Sequence, residues 1–390
     1  MKKIRVARII TRLNVGGPAY QAVLLNHLLP DRGYEALLIH GTVPPGEIFF
    51  GDLLEKYPGD TYPCRKLSRK IAPLADFAAL VDLVKVLKKF RPDIVHTHTA
   101  KAGLLGRLAA KMTGARVLIH TYHGHVLEGY FSSPLEKMIL YTEKFLAKFT
   151  DRLVCISPKL TTELSQKFKI APIEKFATIE LGLPLNRFTS LPGRGPLRTK
   201  FNIPDDAIVL GSLGRLVPIK NYHRMLCIFH NLLRMVPNKK LYLLIGGTGP
   251  LENELKDTAR KFGLTENVFF PGLVRDLPQF YADIDIGILT SDNEGTPVTI
   301  LEAQAAGKYV VAPDVGGIGD ILDPRAGALI SPNEVDAYVH SLCDIINNWS
   351  TLKTSGEQVR SATIERFSPD RLANDLDYLY RKLLQEKENV

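Results

Sequence analysis

Two glutamates on either side of a predicted helix start are the most informative residues of the chain. Glu294 and Glu302 have seven residues between them, and the segment is typical of a loop followed by a helix over Val298–Ala306. Thr296 is a suitable N-cap, and Pro297 suits the first turn, because the N–H group that proline lacks would have no partner there. The unpaired N–H groups of a helix start favour a phosphate. A phosphate with a carboxylate on either side indicates a ligand with hydroxyl groups on both sides of its phosphates, as in a nucleotide-sugar.

Two cations follow a predicted strand and a glycine turn in Gly211–Asn221. They are Arg215 and Lys220, and Asn221 can cap a helix over Tyr222–Met235. In a doubly wound sheet, ligands lie beyond the carboxyl ends of the strands. Fixed cations at that place would stabilise the charge that a diphosphate leaving group gains, without a metal. Taken alone, the two side chains are also consistent with an ordinary exposed loop.

A further glycine turn precedes the first predicted helix. Gly16 and Gly17 would let backbone N–H groups approach an anion closely, and Pro18 begins the helix. Two adjacent glycines are weak evidence by themselves, and a plain tight turn is the simpler interpretation.

Five histidines lie near the ends of two predicted strands. They are His96, His98, His120, His123 and His125. Both strand ends are expected to line the same cleft. No cysteine or Glu-x-x-His helix accompanies them, so polar contact with a sugar, or electrostatic support of a reacting centre, is favoured over a metal site. Structural capping of strand ends is the competing interpretation for His96, His98 and His120.

Two segments match known motifs only in their letters. Asp283 and Asp285 have the spacing of the metal-holding Asp-x-Asp of another class of sugar transferase, but they open a predicted strand, which favours a structural role. The segment Gly246-Gly247-Thr-Gly249-Pro250 lacks the Gly-Lys-Ser/Thr of a P-loop and is typical of a strand-to-helix turn.

Strands and helices alternate along the whole chain. In the first half, strands are predicted over Ile4–Ile10, Glu35–Ile39, Ile94–His98, Arg116–Thr121, Leu153–Ile156 and Phe176–Glu180, and helices over Pro18–Leu29, Leu74–Phe90, Gly103–Met112 and Pro134–Phe149. In the second half, strands are predicted over Ile208–Ser212, Leu241–Ile245, Val268–Phe270, Ile284–Leu289 and Tyr309–Ala312, and a closing helix over Asp370–Glu386. This alternation predicts an α/β protein with two Rossmann-like, doubly wound domains facing a central cleft. The expected domains are residues 1–185 and 186–369, followed by a C-terminal helix, 370–390, that crosses back to the first domain.

The composition agrees with a two-domain globular protein. The 390 residues exceed one hydrophobic core, and 45% of them are hydrophobic against 23% charged. The four cysteines form no CxxC pair, as expected for reduced thiols in the cytoplasm. The first ten residues are typical of a strand and not of a signal peptide. No apolar run approaches the roughly 18–20 residues that span a bilayer.

The positive charge is concentrated in the first half. Residues 1–190 carry 28 Lys and Arg against 16 Asp and Glu, whereas the remainder carries 22 against 25. Such asymmetry indicates an anionic partner, either nucleic acid or an acidic lipid surface, unless the lysines serve only solubility. No basic helix or RNA-binding strand pattern supports nucleic acid. The helix predicted before Phe149 mixes Lys137, Lys144 and Lys148 with apolar residues, as an interfacial helix would.

Several motifs, taken together, carry a family resemblance. They are Gly16-Gly17, His-Gly-His at 123–125, Gly-Arg-Leu-x-x-x-Lys-Asn at 214–221, Phe-Pro-Gly at 270–272, and Glu-Gly-Thr-Pro at 294–297 with the second glutamate at 302. The chain resembles the retaining glycosyltransferases of family GT4, which have the GT-B fold, over nearly its whole length. Residues 121–131 resemble bacterial enzymes that build surface polysaccharides or lipid-linked glycans. One departure is Asp320 after Gly316-Gly317-Ile-Gly319, where the family often has glutamate.

The resemblance implies roles for individual residues. Arg215 and Lys220 would hold the donor diphosphate, Glu302 the ribose hydroxyls and Glu294 a sugar hydroxyl near the reacting carbon. His123 would contact the sugar and support the transition state. The remaining implied donor-binding residues are Gly16, Gly17, Gly272, Leu273, Val274, Gly295, Thr296, Pro297 and Val298. No metal and no cofactor would be needed.

The implied function is transfer of a hexose or N-acetylhexosamine from a nucleotide-sugar, expected to be UDP-linked, to a sugar or lipid-linked acceptor, with retention of anomeric configuration. The implied acceptor is a glycan or a polyprenyl-diphosphate-linked sugar, reached at the anionic inner face of the plasma membrane by the basic N-terminal domain. Two alternatives remain open. A GT-B-fold UDP-sugar epimerase or hydrolase would turn over the donor with no acceptor present. A non-catalytic nucleotide-sugar-binding protein would bind the donor without turnover, although intact Glu294, Arg215 and Lys220 speak against it.

Overall fold

The chain forms two compact units. The computed structural model describes residues 3–14, 16–44, 49, 51–124, 127 and 133–389. We call residues 1–183 together with 368–390 the N-terminal unit, and residues 184–367 the C-terminal unit. The predicted domain boundaries, after residues 185 and 369, lie close to these two divisions.

The N-terminal unit contains a parallel sheet of seven strands. The strands are β1 (Ile4–Ile10), β2 (Tyr34–His40), β3 (Asp60–Pro63), β4 (Ile94–His98), β5 (Val117–Tyr122), β6 (Arg152–Cys155) and β7 (Phe176–Thr178). The helices are α1 (Gly17–Leu28), α2 (Gly51–Lys56), α3 (Pro73–Phe90), α4 (Ala100–Thr113), α5 (Ser133–Lys148), α6 (Pro158–Thr162) and, at the end of the chain, α16 (Pro369–Glu388). Pro30–Arg32 and Ile173–Lys175 form short 3-10 helices, and Glu163–Lys167 forms a π-helical turn after α6.

The strand order in this sheet is β3-β2-β1-β4-β5-β6-β7. Alternate residues of β1 point to opposite faces, so that Ala7 packs in a core with α3 and α4, and Val6 packs in a core with α16. Helix α16 contributes an apolar stripe to the second of these cores: Leu372, Ala373, Leu376, Leu379, Tyr380, Leu383 and Leu384. The last helix of the chain is therefore part of the N-terminal unit.

The C-terminal unit contains a parallel sheet of six strands. The strands are β8 (Ile208–Leu213), β9 (Leu241–Gly246), β10 (Val268–Gly272), β11 (Ile286–Ile288), β12 (Tyr309–Pro313) and β13 (Gly327–Ile330). The helices are α7 (Pro196–Lys200), α8 (Tyr222–Met235), α9 (Glu252–Lys261), α10 (Leu277–Asp283), α11 (Val298–Ala305), α12 (Ile318–Ile321), α13 (Val335–Asn347), α14 (Trp349–Leu352) and α15 (Ser355–Arg366). Leu185–Phe188 and Pro218–Lys220 form 3-10 helices.

The order of this second sheet is β10-β9-β8-β11-β12-β13. The chain first adds strands on one side of β8 and then returns to add strands on the other side, so the order reverses between β8 and β11. A ligand site in such a sheet is expected at this switch point, beyond the carboxyl ends of the two strands. The equivalent reversal in the N-terminal unit lies between β1 and β4.

The predicted α/β class with two doubly wound, Rossmann-like domains is confirmed. Strands β1 and β4 and helix α8 have the predicted bounds, and the other predicted elements differ by a few residues at their ends. Strands β3 and β13 were not predicted. Both are edge strands of four residues, and the burial of β3 shows no alternation that a sequence pattern would reveal.

Asp283 and Asp285 have the structural role that the sequence favoured. The Asp283 side chain is fully buried and accepts hydrogen bonds from the backbone N–H groups of Gly195 (2.6 Å) and Leu197 (3.0 Å). Asp285 forms an ion pair with Arg198 at 2.8 Å. These bonds hold α7 and the residue before it against the end of α10 and the segment between α10 and β11. The predicted turn at Gly246–Pro250 is also confirmed, since it connects β9 to α9.

Within the described residues, no helix is long and apolar enough to cross a membrane.

Candidate functional site

The predicted cations and the first glutamate lie at the switch point of the C-terminal unit. Strands β8 and β11 are parallel neighbours, with Leu210 beside Ile286 and Gly211 beside Gly287. The loop after β8 carries Arg215 and Lys220, and the loop after β11 carries Glu294. Residues about 75 positions apart in sequence are thereby brought to one edge of the sheet.

Lys220 and Glu294 form an ion pair at this edge. Their side chains are 22% and 11% exposed, and the Ser291 hydroxyl donates a second hydrogen bond to the same carboxylate oxygen of Glu294, at 2.6 Å. A half-buried pair of this kind is held in a defined geometry, and its ammonium and carboxylate both remain reachable from solvent. The pair offers a cation for a phosphate and a hydrogen-bond acceptor for a hydroxyl group.

Backbone contacts hold the two loops against each other. The Thr290 hydroxyl lies 3.3 Å from the carbonyl oxygen of Lys220 and 3.0 Å from that of Asn221. The N–H group of Asp292 donates to the carbonyl of Ile219 at 2.9 Å, and the Asp292 carboxylate pairs with Arg224 at 2.7 Å. The position of Lys220 relative to Glu294 therefore depends on backbone geometry, as a preorganised site requires.

Asn221 caps helix α8, as predicted. Its side-chain oxygen accepts a hydrogen bond from the N–H group of Arg224 at 3.2 Å. Its backbone is left-handed, with φ of 48°, a conformation that asparagine tolerates better than most residues. The turn ends the 3-10 helix that carries Lys220 and begins α8 directly afterwards.

A glycine pair packs behind Glu294. Gly316 has φ of +54°, and a Cβ atom there would lie 1.6 Å from the carbonyl oxygen of Glu294. The next residue, Gly317, donates its N–H group to the carbonyl of Gly295 at 2.9 Å. The Gly316-Gly317 turn thus supports the loop of Glu294 through backbone contact, and a side chain at 316 would displace that loop.

Glu302 lies deeper than Glu294 and has its own partners. It is 6% exposed, pairs with Arg187 at 2.8 Å, and its second oxygen lies 3.3 Å from the Tyr281 hydroxyl. Burial raises the pKa of Glu302 to about 7, although Arg187 and the Tyr281 hydroxyl act in the opposite direction. The carboxylate is accordingly poised to change protonation near neutral pH.

The start of helix α11 differs from the prediction in one detail. The helix begins at Val298 with Pro297 as its N-cap residue, and no side chain caps it, so the predicted capping by Thr296 is wrong. Pro297 takes an extended conformation one position before the first helical residue. The Thr296 hydroxyl oxygen is buried, with no hydrogen-bond partner in the part of the chain that the structure describes.

Arg215 and the predicted base-binding residues lie at the same end of the sheet. Arg215 is exposed, and its side chain forms no hydrogen bond or ion pair with another described residue, although its backbone carbonyl accepts the N–H group of Val217 at 2.9 Å. Gly272 ends β10 with φ of +77°, Leu273 is 52% exposed, and Val274 packs against Gly246. Because β10 is an edge strand two places from β8, this segment is separated from Lys220 by the end of β9.

In the N-terminal unit, the glycine turn begins helix α1 at the switch point beside β1. Gly16 is the N-cap residue, with its carbonyl accepting the N–H group of Tyr20 at 3.1 Å, and Gly17 is the first helical residue. Pro18 occupies the first turn of α1, as predicted.

The four described histidines of this cluster differ in burial. His96, His98 and His120 are at most 1% exposed, so the expectation that they line a cleft is wrong, and the alternative of a structural role holds for them. Alternation along the strands turns them inward, where burial lowers the pKa of each ring well below its usual value. His123 follows β5 and is partly exposed, and His125 and 128–131 lie outside the described residues. In the described ranges, no group of three or more His, Cys, Asp or Glu side chains is placed to hold a metal ion.

Sequence reasoning missed three of the residues that surround the two glutamates. Arg187, Tyr281 and Ser291 contact Glu302 or Glu294, yet no local motif marks them. Arg187 lies 115 positions before Glu302, and only the fold brings its 3-10 helix against α11.

Comparison with known proteins finds a glycosyltransferase family model for each of the two units. Residues 15–187 match the family described as Glycosyltransferase Family 4, and residues 194–362 match Glycosyl transferases group 1. The chain is 26% identical over 390 residues to the UDP-Gal:alpha-D-GlcNAc-diphosphoundecaprenol alpha-1,3-galactosyltransferase of Escherichia coli, with 99% of this chain and 98% of that protein covered. It is 27% identical to the capsular polysaccharide biosynthesis glycosyltransferase CapM of Staphylococcus aureus, with 87% and 89% covered.

Solved structures share the fold. The Anabaena protein HepE in complex with UDP has a TM-score of 0.79 at 20% identity, covering 97% of this chain and 100% of that one. The sucrose-phosphate synthase of Thermosynechococcus elongatus also has a TM-score of 0.79, at 19% identity. The fold is therefore GT-B. Since the family 4 model matches the first half of the chain, the group 1 model matches the second half, and the relatives are glycosyltransferases, the protein is a GT4-type glycosyltransferase.

Proposed function

We propose that this glycosyltransferase moves a hexose or N-acetylhexosamine from a UDP-sugar to a sugar or lipid-linked acceptor in polysaccharide or glycan biosynthesis, with retention of configuration. The observation that carries the proposal is the Lys220–Glu294 pair, held by backbone contacts at the switch point of the C-terminal sheet. The E. coli relative is named for UDP-galactose and for an acceptor on diphosphoundecaprenol, and HepE structures contain UDP, glucose or UDP-glucose.

In this proposal, Arg215 and Lys220 bind the donor diphosphate. The bond between the anomeric carbon and the diphosphate oxygen breaks, so the diphosphate gains negative charge in the transition state. Lys220, which is held by its ion pair with Glu294, and the exposed Arg215 stabilise that charge without a bound metal. The acceptor oxygen attacks the same face of the anomeric carbon, and its proton passes to the leaving diphosphate. No side chain then needs to act as the general base.

Both glutamates act in this proposal as hydrogen-bond acceptors. Glu294 keeps one oxygen on Ser291 and Lys220 and offers the other to a sugar hydroxyl near the reacting carbon. Glu302 accepts the ribose hydroxyls, and the Tyr281 hydroxyl and Arg187 orient its carboxylate. The start of helix α11 comprises Gly295, Thr296, Pro297 and Val298, and the N–H groups of Gly295, Thr296 and Val298 are proposed to donate to a phosphate, since a helix start favours an anion.

The other assignments rest on the family resemblance. Gly272, Leu273 and Val274 are proposed to contact the base, and Gly16 and Gly17 the diphosphate. His123 is proposed to contact the donor sugar.

We further propose that the N-terminal unit binds an anionic membrane surface, where a polyprenyl-diphosphate-linked acceptor would be found. Helix α5 exposes Met138 (57%), Tyr141 (68%) and Phe145 (57%), while Lys137 and Lys148 are exposed beside them. The opposite side of α5 is fastened inward by a buried ion pair between Glu143 and Arg107 at 2.6 Å. An apolar stripe with flanking lysines is suited to the interface of an acidic lipid bilayer.

Helix α3 adds a second exposed stripe on the same side of the sheet. Leu74 is 90% exposed and Phe77 is 67% exposed, and Lys85 and Lys88 follow them on that face. Helix α4 packs between α3 and α5, so the two stripes belong to one layer of helices. The excess of basic over acidic residues in this half of the chain complements an acidic lipid surface.

Vesicle flotation tests the membrane proposal. The full-length protein should float with vesicles that contain phosphatidylglycerol at low salt, and less with pure phosphatidylcholine vesicles. Phe145→Ser should weaken flotation, whereas Met235→Ser should not, because Met235 is similarly exposed (54%) but lies in the C-terminal unit. Absence of flotation with the anionic vesicles would refute membrane binding.

The donor proposal is tested by offering a panel of UDP- and GDP-sugars in the presence and absence of lipid-linked and sugar acceptors. Transfer from one UDP-sugar, dependent on acceptor and undiminished by EDTA, supports the proposal. Turnover of the donor without acceptor would instead identify an epimerase or hydrolase. Binding without turnover under any condition would leave only a nucleotide-sugar-binding protein.

A further inference from the structure

A buried arginine without a carboxylate partner lies inside the N-terminal unit. Arg8 is 1% exposed, in the middle of β1, on the face that packs against α16. No described Asp or Glu forms an ion pair with Arg8. A buried cation is costly unless its N–H groups have acceptors. The two Nη groups of Arg8 have acceptors, whereas its Nε is buried with no partner among the described residues.

Three uncharged side chains accept hydrogen bonds from Arg8. Its Nη1 lies 3.3 Å from Nδ1 of His96 and 3.1 Å from Nε2 of His98, and its Nη2 donates to the Tyr380 hydroxyl at 3.2 Å. A guanidinium group has only donors, so these two ring nitrogens must be the unprotonated ones. Arg8 thereby determines where each histidine carries its proton.

The direction of the bonds continues from His98 to His123. His98 is neutral because burial, the neighbouring histidine and Arg8 all lower its pKa well below the usual value, so its single proton is on Nδ1. Nδ1 of His98 lies 3.0 Å from Nε2 of His123, which must accept this bond. Burial lowers the pKa of His123 to about 3, so this ring is also neutral and carries its proton on Nδ1.

The side branch through His96 has the same polarity. The Tyr380 hydroxyl accepts from Arg8 and donates to Nδ1 of His96 at 2.6 Å. His96 then donates from Nε2 to the Thr121 hydroxyl at 2.6 Å. Reversing His98 would place its N–H group against that of Arg8 at 3.1 Å, so the path from Arg8 through His98 to His123 has one consistent arrangement of protons.

The end of the network is an unused donor. Nδ1 of His123 is buried and has no hydrogen-bond partner among the described residues. In the arrangement that Arg8 imposes, this nitrogen carries a proton. It is therefore available to donate to an oxygen atom of a ligand, and it is not available as a base.

We propose that Arg8 is a positioning residue that, through His98, holds His123 as the Nδ1–H tautomer, so that His123 donates one hydrogen bond to a hydroxyl oxygen of the donor sugar. The second part rests on the proposed function, in which His123 contacts the sugar. The first part concerns the ligand-free protein and is tested separately.

The direct test is the ¹⁵N NMR spectrum of the histidine rings in the full-length, ligand-free protein, with His123→Gln used to assign the signals. Protonated and unprotonated ring nitrogens have distinct ¹⁵N shifts. The expected result is a protonated Nδ1 and an unprotonated Nε2 for His123. A proton on Nε2 would overturn the proposal, whether or not any variant folds.

Arg8 variants test the cause of the tautomer. In Arg8→Met, Nε2 of His98 is released to carry a proton, so His123 should shift at least partly to the Nε2–H form. Arg8→Lys keeps a group that only donates and should preserve the Nδ1–H form. Thr97→Val is the matched control, because Thr97 lies between His96 and His98 but faces the other side of the sheet. An unchanged His123 tautomer in folded Arg8→Met would overturn the role of Arg8.

Affinity tests the link to the sugar. Arg8→Met should reduce affinity for the UDP-sugar by roughly 2- to 12-fold, the range of one uncharged hydrogen bond, and leave affinity for UDP unchanged. An unchanged ratio of the two affinities would overturn the contact with the sugar. Failure of the wild-type protein to bind any UDP-sugar would instead refute the proposed function, and the ligand-free spectra would still decide the tautomer.

Discussion

Replacing Lys220 by alanine tests the chemistry assigned to the switch point of the C-terminal unit. The substitution removes the cation that pairs with Glu294 and leaves the Ser291 hydroxyl as the remaining partner of that carboxylate. We expect transfer to fall by at least about 100-fold.

The magnitude has two parts. Loss of a preorganised contact to developing charge costs about 2.7–4 kcal/mol, or roughly 10²- to 10³-fold in rate. In addition, Glu294 is only 11% exposed and becomes an unpaired negative charge close to the proposed diphosphate. The second effect disappears when Glu294 is also removed, so the double variant Lys220→Ala/Glu294→Ala should be less impaired than the sum of the single variants by about 0.5–3 kcal/mol.

The assay is the initial rate of transfer, with kcat and KM for the UDP-sugar measured separately and thermal unfolding recorded for each variant. The matched control is Lys240→Ala, which breaks an exposed ion pair with Asp206 in the same unit, 58% and 64% exposed. Solvent screens an exposed pair of this kind, so its loss should have little effect on stability, and Lys240 lies at the opposite end of the sheet from Lys220. A folded Lys220→Ala variant with a rate within about threefold of wild type would refute the assigned role.

Three further predictions concern other residues of the C-terminal unit. Affinity for UDP should fall, by up to about tenfold per pH unit, as pH drops below about 7, because burial raises the pKa of Glu302 to about 7 and only the ionised form accepts two ribose hydroxyls. Folding raises this pKa from 4.5, so the folded state binds the proton more tightly and the contribution of Glu302 to stability decreases as pH rises from 4.5 to 7. Glu302→Gln should remove the pH dependence of both UDP affinity and stability. If UDP affinity depends on pH with the same slope in this variant as in the wild type, the reasoning is contradicted. Asp283→Asn should lower the free energy of unfolding by about 2–4 kcal/mol, because it weakens the hydrogen bonds to Gly195 and Leu197. Thermal or urea melts should show the same loss in EDTA and in Mg²⁺, and a loss that depends on the metal would instead support a metal role. Thr296→Val should leave the melting temperature unchanged or higher, since the hydroxyl has no partner in the described chain, and a lower melting temperature would restore the capping role. We propose that this hydroxyl donates to a phosphate oxygen of the donor, so the variant should bind UDP roughly 2- to 12-fold more weakly.

Much of the fold follows from local patterns. Apolar runs such as Ile4–Ile10 and Ile94–His98 are buried on both faces of a parallel sheet, so they form strands with the predicted bounds. The bounds of helix α8 were also predicted correctly, because Asn221 caps the helix and its apolar residues recur on one side. Strands β3 and β13 were missed because short edge strands depend on pairing with a neighbour more than on their own residues.

The candidate site was predictable where motifs are local and was not where contacts span the chain. The loop–helix character around Glu294 and Glu302 is visible in nine consecutive residues. The partners Arg187 and Tyr281, by contrast, come from separate elements and carry no local signal. The inward orientation of His96 and His98 was also misjudged, since a histidine at a strand end can face a core as well as a surface.

The sequence by itself determined the family, the two doubly wound sheets and the candidate residues, because residue type and short spacing encode helix starts, glycine turns and buried strands. The tertiary structure decided how those residues are used. The strand order places Lys220 beside Glu294, and the packing of α11 buries Glu302 and raises its pKa. The packing of β4 and α16 against β1 surrounds Arg8 with uncharged acceptors. These outcomes depend on strand order and burial, which are properties of the packed chain and of no single segment.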